Sequence, residues 1–336
     1  MDINMRIFAS LLAIAMVTAT SLSAQTKIGI IGLDTSHSIA FTKLLNDKTS
    51  GDHFVKEFEV VAAYPYGTKN IESATSRIPK YIDEIQQYGV IITGSIAELL
   101  EMVDCVFLET NDGNLHLEQA VEVFKSGKRI YIDKPLGATL GQAIAIYDVA
   151  EKYGSKFFSS SAVRFTAQNV KLRNGDYGAI IGADVYSPHS VEPTHPDFGY
   201  YGIHGVEELF SIMGTGCKSV SRTHNDAGDV VVGLWDGDRI GTFRAIVKGP
   251  YIFGGTAFTA SKAIPTGGYS GYKVLLDQIL TFFETGVSPI SKEETLELFT
   301  FMKASNMSVK AGGAPVSMEK AWKAGQRDAK KLLKNL

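Results

Sequence analysis

Lys27-Ile28-Gly29-Ile30-Ile31-Gly32-Leu33-Asp34-Thr35-Ser36-His37 is the stretch that decides the fold. Its first half is a short apolar run that stops at Gly32, and Ser36–Leu45 then has the spacing of a helix. A strand ending on glycine and passing directly into a helix opens a parallel α/β unit. Further strands are expected at Phe58–Ala63, Val90–Thr93, Cys105–Glu109, Arg129–Ile132 and Lys156–Ser160. Helices are expected between them at Ser95–Met102, Leu115–Ser126 and Leu140–Tyr153. Continuously apolar strands alternating with helices predict a parallel sheet covered on both faces.

The rhythm changes after residue 160. Strand-like runs at Ala179–Tyr186, Ser219–Thr223, Val230–Trp235, Arg239–Val247 and Phe253–Ala260 are joined by Gly- and Asp-containing turns. Asp236-Gly237-Asp238 is a hairpin signal. Helical spacing returns at Leu275–Phe283, Glu293–Lys310 and Met318–Leu333, with those helices expected to pack on a sheet. The organisation predicted is a Rossmann-like domain over residues 26–160 and an α/β domain with a large, mostly antiparallel sheet over 161–336.

Residues 1–25 stand apart. Arg6, the apolar run Ile7–Val17 and the small residues up to Ala24 follow the order of a secretory signal, so a periplasmic location is expected. No other segment is apolar enough to suggest a membrane span. The formal net charge of −3, without a Lys/Arg block, argues against a nucleic-acid partner and leaves a small ligand as the default. Cys105 and Cys217 are too few for a disulfide framework, and Cys105 reads as a buried thiol within a strand. No HxxxH or CxxC spacing supplies a ligand set, so no metal is expected.

Ligands of open parallel sheets bind beyond the carboxyl ends of the strands. Four segments fall there: Gly32–His37, Tyr64–Gly67, Thr110–Gly113 and Asp133–Pro135. Lys134 at such an end can hold a developing alkoxide, with a solvated turn lysine as the alternative. His204 lies in the first turn of a helix beginning near Gly202, where it can act as a base; a structural pairing with Glu208 is the alternative. His189 and His195 sit in a loop-like stretch, either lining the pocket or simply exposed.

Together these residues resemble the glucose–fructose oxidoreductase/inositol dehydrogenase (Gfo/Idh/MocA) family over nearly the whole mature chain. Ile30-Ile31-Gly32 is similar to the family's opening strand, and Glu109-Thr110-Asn111-Asp112 through His116 to its T-P-N-x-x-H segment. Asp133-Lys134-Pro135 stands where the family has E-K-P, Arg164-Phe165 follows the next strand, and Gly202-Ile203-His204 matches G-x-H. The resemblance implies hydride transfer with NAD or NADP on a sugar, polyol or keto-sugar, Lys134 and His204 moving protons. It implies cofactor contacts from Gly32, Asp34, Thr35, Ser36, His37, Tyr64, Thr110, Asn111, His116 and Asp133. Substrate contacts would come from Lys134, Arg164, Tyr200, His204 and Glu207, and the C-terminal sheet would form a homo-oligomer.

Several positions depart from that pattern. In G-x-G-x-x-G the second glycine becomes Asp34 and the third His37, which places a carboxylate where a diphosphate would lie; a helix N-cap is the other use of Asp34 or Ser36. Tyr64 replaces the ribose-binding acid, which removes the usual preference for NAD, and Lys69 would favour a 2′-phosphate. Tyr200 replaces the Asp of D-x-G-x-H, and Glu207 a later Asp. An exported enzyme needs its cofactor tightly held, because free nucleotide is scarce outside the cytoplasm. The alternatives are a keto-sugar lyase or hydrolase without net redox change, and a non-catalytic carbohydrate-binding protein.

Overall fold

The computed structural model describes residues 25–49, 52, 54–334 and 336; residues 1–24 of the expected signal segment lie outside the described residues. The first sheet contains β1 (Thr26–Ile31), β2 (Phe58–Tyr64), β3 (Ile91–Ile92), β4 (Cys105–Leu108), β5 (Arg129–Ile132) and β6 (Phe157–Phe158). Their order is 3-2-1-4-5-6 and every pairing is parallel. This is the doubly wound arrangement, with its switch point between β1 and β4.

Alternating residues of these strands bury opposite faces. Ile31, Val106, Leu108, Ile130 and Ile132 pack with the helices Ile96–Met102, His116–Ser126 and Leu140–Tyr153. Ile28, Ile30, Phe107, Tyr131 and Phe158 pack with Phe41 and Leu45 of the helix Ser36–Asn46. Leu275, Leu276, Ile279, Phe282 and Phe283 join this second cluster from the helix Lys273–Thr285, late in the chain. A segment expected to close the C-terminal domain thus covers the N-terminal sheet, since its apolar stripe matches an otherwise exposed face.

The second sheet contains β7 (Ile180–Pro188), β8 (Cys217–Asn225), β9 (Gly228–Trp235), β10 (Arg239–Ile246), β11 (Gly254–Thr259), β12 (Ala263–Pro265) and β13 (Val316–Ser317). Its order is 12-11-7-10-9-8-13; only β7 and β10 run parallel. Gly237 and Asp238 turn β9 into β10 with φ of 70° and 57°, the sense a tight hairpin requires. The helix Ile203–Met213 packs on β7 and β10, and Lys292–Lys310 on β8. Cys105 and Cys217 are buried and free, and burial pushes both thiols up to about 12. Among the described residues, no helix is long and apolar enough to cross a membrane.

Candidate active site

The carboxyl ends of the parallel strands meet the second domain at a cleft of about 300 Å³. Thr35, Ser36, His37, Asn111, Asp133, Lys134, Tyr200 and His204 line it, so strand order does gather those predicted residues. The Tyr200 hydroxyl accepts a hydrogen bond from Asn111 Nδ2 at 2.9 Å and ties the two domains together. Sequence reasoning missed Arg77, Ser161, Tyr201 and four aromatic residues, Tyr251, Phe253, Tyr269 and Tyr272. The glycine–aromatic alternation of residues 249–272 is the signal that could have found them.

His204 is not paired with Glu208, which the sequence left open. Its Nδ1 lies 2.6 Å from Ser161 Oγ, and its ring meets Tyr201 and Phe253 edge-on. Burial, then the Lys134 cation, hold the imidazole well below its ordinary pKa, so it is neutral at pH 7. In the tautomer whose Nδ1–H donates to Ser161 Oγ, the Nε2 lone pair is free to accept a proton. Lys134 lies 6.0 Å from the Tyr201 ring centroid.

Under Lys134 lies a buried charge cluster. His37 Nδ1 is 3.0 Å from Asp133 Oδ1 and 3.4 Å from Glu109 Oε2. Burial works against the imidazolium, but Asp133 and Glu109 outweigh it and raise His37 to about 10. Burial and the charge of Asp133 push Glu109 up to about 7. Burial also opposes ionisation of Asp133, yet His37 and Lys134 hold its carboxyl well below the usual range. No spacing motif announces this group, because its members lie on three separate elements.

Other expected site residues do not line the cleft. Arg164 is buried and its Nε donates to Glu207 Oε2 at 2.6 Å, while Nη1 pairs with Glu294. Neither Arg164 nor Glu207 faces the cleft; each neutralises the other in the core. His116 is fully buried, with its ring nitrogens 2.7 Å from Thr110 O and 2.9 Å from Pro135 O, so it straps two loops together. His195 accepts from Gly113 N–H at 3.1 Å and His189 packs edge-on against Phe198; both are buried and neither lines the cleft.

The turn where the resemblance places a diphosphate bonds to neighbouring loops. Asp34 is fully buried and accepts hydrogen bonds from Thr68 N and Asn111 N, each at 2.8 Å. Burial outweighs these bonds and raises its pKa. It is not the helix cap; that position belongs to Thr35, without a side-chain bond. Leu33 N donates to Pro65 O at 3.0 Å and Gly32 N to Tyr64 O at 2.8 Å, drawing the loop after β2 over the turn. A Cβ on Gly67 would lie 2.4 Å from Thr110 Oγ1, and one on Gly32 2.6 Å from Thr110 N. Gly32 thus bonds to Tyr64, Asp34 to Thr68 and Asn111, and Thr110 packs against Gly32 and Gly67; Gly32, Asp34, Tyr64 and Thr110 lie outside the cleft, and Lys69 is exposed.

A family model described as an oxidoreductase family with an NAD-binding Rossmann fold, GFO_IDH_MocA, matches residues 26–161. The N-terminal domain belongs to the Gfo/Idh/MocA oxidoreductases. The likeness in fold extends over both domains. A probable dehydrogenase from Thermotoga maritima is 18% identical, with a TM-score of 0.70 over 88% of this chain and 99% of its own. The scyllo-inositol dehydrogenase of Lactobacillus casei, solved with NAD(H) and scyllo-inositol, is 15% identical, with a TM-score of 0.69 over 88% and 100%. GenD2 from gentamicin A biosynthesis, in complex with NAD, is 13% identical, with a TM-score of 0.71 over 88% and 97%. No protein of curated function matches the sequence significantly.

Tested against this Gfo/Idh/MocA background, the residues around Lys134 and His204 fit a small polar substrate. Those at the β1 turn do not fit the glycine fingerprint of a dinucleotide: the Asp34 carboxylate, standing at its second glycine, holds the backbone N–H groups of Thr68 and Asn111, and no acid ends β2.

Proposed function

We propose that this chain is a carbohydrate-acting enzyme that binds a sugar, polyol or keto-sugar between Lys134 and His204. The observation that carries the reading is a neutral His204 facing Lys134 across one cleft, with aromatic rings and the Asn111–Tyr200 pair around it. His204 Nε2 takes up or returns the proton of a substrate hydroxyl. The Lys134 ammonium stabilises the oxyanion left behind. The small volume suits a single ring, and the aromatic faces supply apolar contact for its C–H groups.

Family membership supports oxidoreduction with NAD or NADP as the reaction this pair serves. The internally bonded β1 turn favours a second reading on the same residues, elimination or hydrolysis of a keto-sugar without net redox change. Export rests on the order of residues 1–25. Self-association through the second sheet is supported by Leu234 and Ile240, paired across β9 and β10 and 47% and 50% exposed.

Purified protein supplied with sugars, polyols and keto-sugars, with and without NAD(P), separates the readings by product. Loss of two hydrogens marks oxidation, whereas bond cleavage at constant oxidation level marks the second. Lys134→Met and His204→Gln are each expected to cut turnover by about 10²-fold or more. Unchanged turnover in both variants removes the cleft from the reaction.

A further inference from the structure

We infer that His37, Glu109 and Asp133 form a binding site for one divalent transition-metal ion on the floor of the cleft. One ligand atom from each residue lies within 4.8 Å of the others. The residues come from the first turn of the helix Ser36–Asn46 and from the ends of β4 and β5, so a rigid scaffold holds all three. Their exposures are 7%, 0% and 0%. Two donors bound to one ion at ~2.1 Å, with the angles of tetrahedral or octahedral coordination, stand about 3.0 to 3.4 Å apart. His37 Nδ1 lies 3.0 Å from Asp133 Oδ1 and 3.4 Å from Glu109 Oε2.

The remaining oxygens point the same way. Glu109 Oε1 and Asp133 Oδ2 are buried without a hydrogen-bond partner among the described residues. Buried carboxylate oxygens left unmatched are costly, and an ion is a partner that the protein itself does not supply. Around them, Thr35 Oγ1 lies 3.5 Å from Glu109 Oε2, and the Tyr272 ring stands edge-on to His37 at 4.5 Å. These contacts restrict the ligands as outer residues of metal sites do.

Binding releases the proton that Glu109 and Asp133 hold on His37, and one neutral imidazole with two carboxylates then suits zinc, manganese, iron(II) or cobalt. Three protein ligands leave positions open, and His37 and Asp133 line the cleft where Lys134 and His204 stand. An ion there would polarise a carbonyl or hydroxyl oxygen of a bound sugar. His37, which breaks the glycine fingerprint, thereby acquires a use.

The test is metal binding by the full mature chain, stripped with chelator and dialysed against Zn²⁺, Mn²⁺ or Co²⁺. Metal analysis should give one ion per chain for at least one of them, and Co²⁺ should give a visible d–d spectrum. His37→Gln and Asp133→Asn should each weaken binding at least 100-fold, while His224→Ala, a half-exposed histidine on β8, should not change it. Urea unfolding of each metal-free variant checks its fold; if His37→Gln fails it, Asp133→Asn decides. Less than a tenth of an ion per wild-type chain with all three metals overturns the inference, as does binding unchanged in a folded variant. No substrate enters these measurements, so their failure leaves the carbohydrate reading standing, and an inert sugar panel leaves the metal site standing.

Discussion

Arg164→Met tests whether the buried arginine serves the fold or a ligand. The guanidinium sits between Glu207 and Glu294 and is 1% exposed. Its loss affects the two acids unequally. Glu294 keeps Arg173, whose Nη1 and Nη2 donate to its carboxylate at 2.9 and 2.7 Å. Glu207 is 3% exposed and retains only Ser160 Oγ at 3.5 Å. Burial already raises its pKa and Arg164 opposes that rise, so the variant leaves it charged without a cation or forces it to take a proton. Breaking a buried pair on one side costs about 3–5 kcal/mol, and the surviving Arg173 bonds place this case near the lower figure. Urea unfolding at pH 7.5 should show that loss, and Arg164→Met with Glu207→Gln should recover at least half of it. The single variant should also regain stability as pH falls below 7.5, because loss of the Arg164 cation raises the folded pKa of Glu207 further. A loss below about 1 kcal/mol, accompanied by a raised KM, would return Arg164 to the substrate and refute the reasoning.

Glu208 is buried, and burial raises it from 4.5 to about 7. A folded pKa above the unfolded one favours the fold below pH 4.5, and the advantage disappears as pH rises through 7. Glu208→Gln should therefore gain on wild type by roughly 3 kcal/mol in urea unfolding between pH 4.5 and pH 8; a constant difference would show that Glu208 is not the titrating group. A Cβ on Gly205 would lie 2.1 Å from Phe243 Cε2, inside the packing of the helix Ile203–Met213 on β10. Gly205→Ala should cost about 1–3 kcal/mol and depress turnover by displacing the neighbouring His204; wild-type stability would show that the helix shifts freely. Asp34→Ala removes the acceptor of two buried backbone N–H groups and should cost about 2–4 kcal/mol. It should also speed amide exchange at Thr68 and Asn111, and unchanged protection there would mean that the carboxylate does not hold the loop.

The first sheet is legible because each long strand is buried on both faces and therefore reads as a continuous apolar run. Arg129–Ile132 is read to the residue, whereas the edge strands Ile91–Ile92 and Phe157–Phe158 are shorter than their apolar runs suggest. The helix Ile78–Gln86 is not among the expected helices; its Pro79 stands in the first turn, where proline is tolerated. In the site, Lys134 and His204 are legible from the strand end and the helix start that carry them. Arg164 and Glu207 are not, since a charged residue near a cleft shows its direction only when its partner is known, and Glu294 lies far along the chain. The glycines and aromatics of segment 249–272 mark it in the sequence, but the wall they form depends on how that segment folds back against the first sheet's strand ends.

The departures at the glycine fingerprint have a common physical form. A nucleotide turn that merely lost its glycines would carry side chains without dedicated partners, because the bare backbone of such a turn is shaped for a ligand. Here each new side chain is answered by the structure around it. Asp34 meets two backbone donors from the loops after β2 and β4, and Gly67 keeps the first of those loops close enough to supply one. His37 meets Glu109 and Asp133, and neither acid has another cation as near except Lys134 at the mouth of the cleft. These paired residues come from the ends of four strands, β1, β2, β4 and β5. Lys134 and His204 line the open cleft, while the turn after β1 bonds to partners of its own.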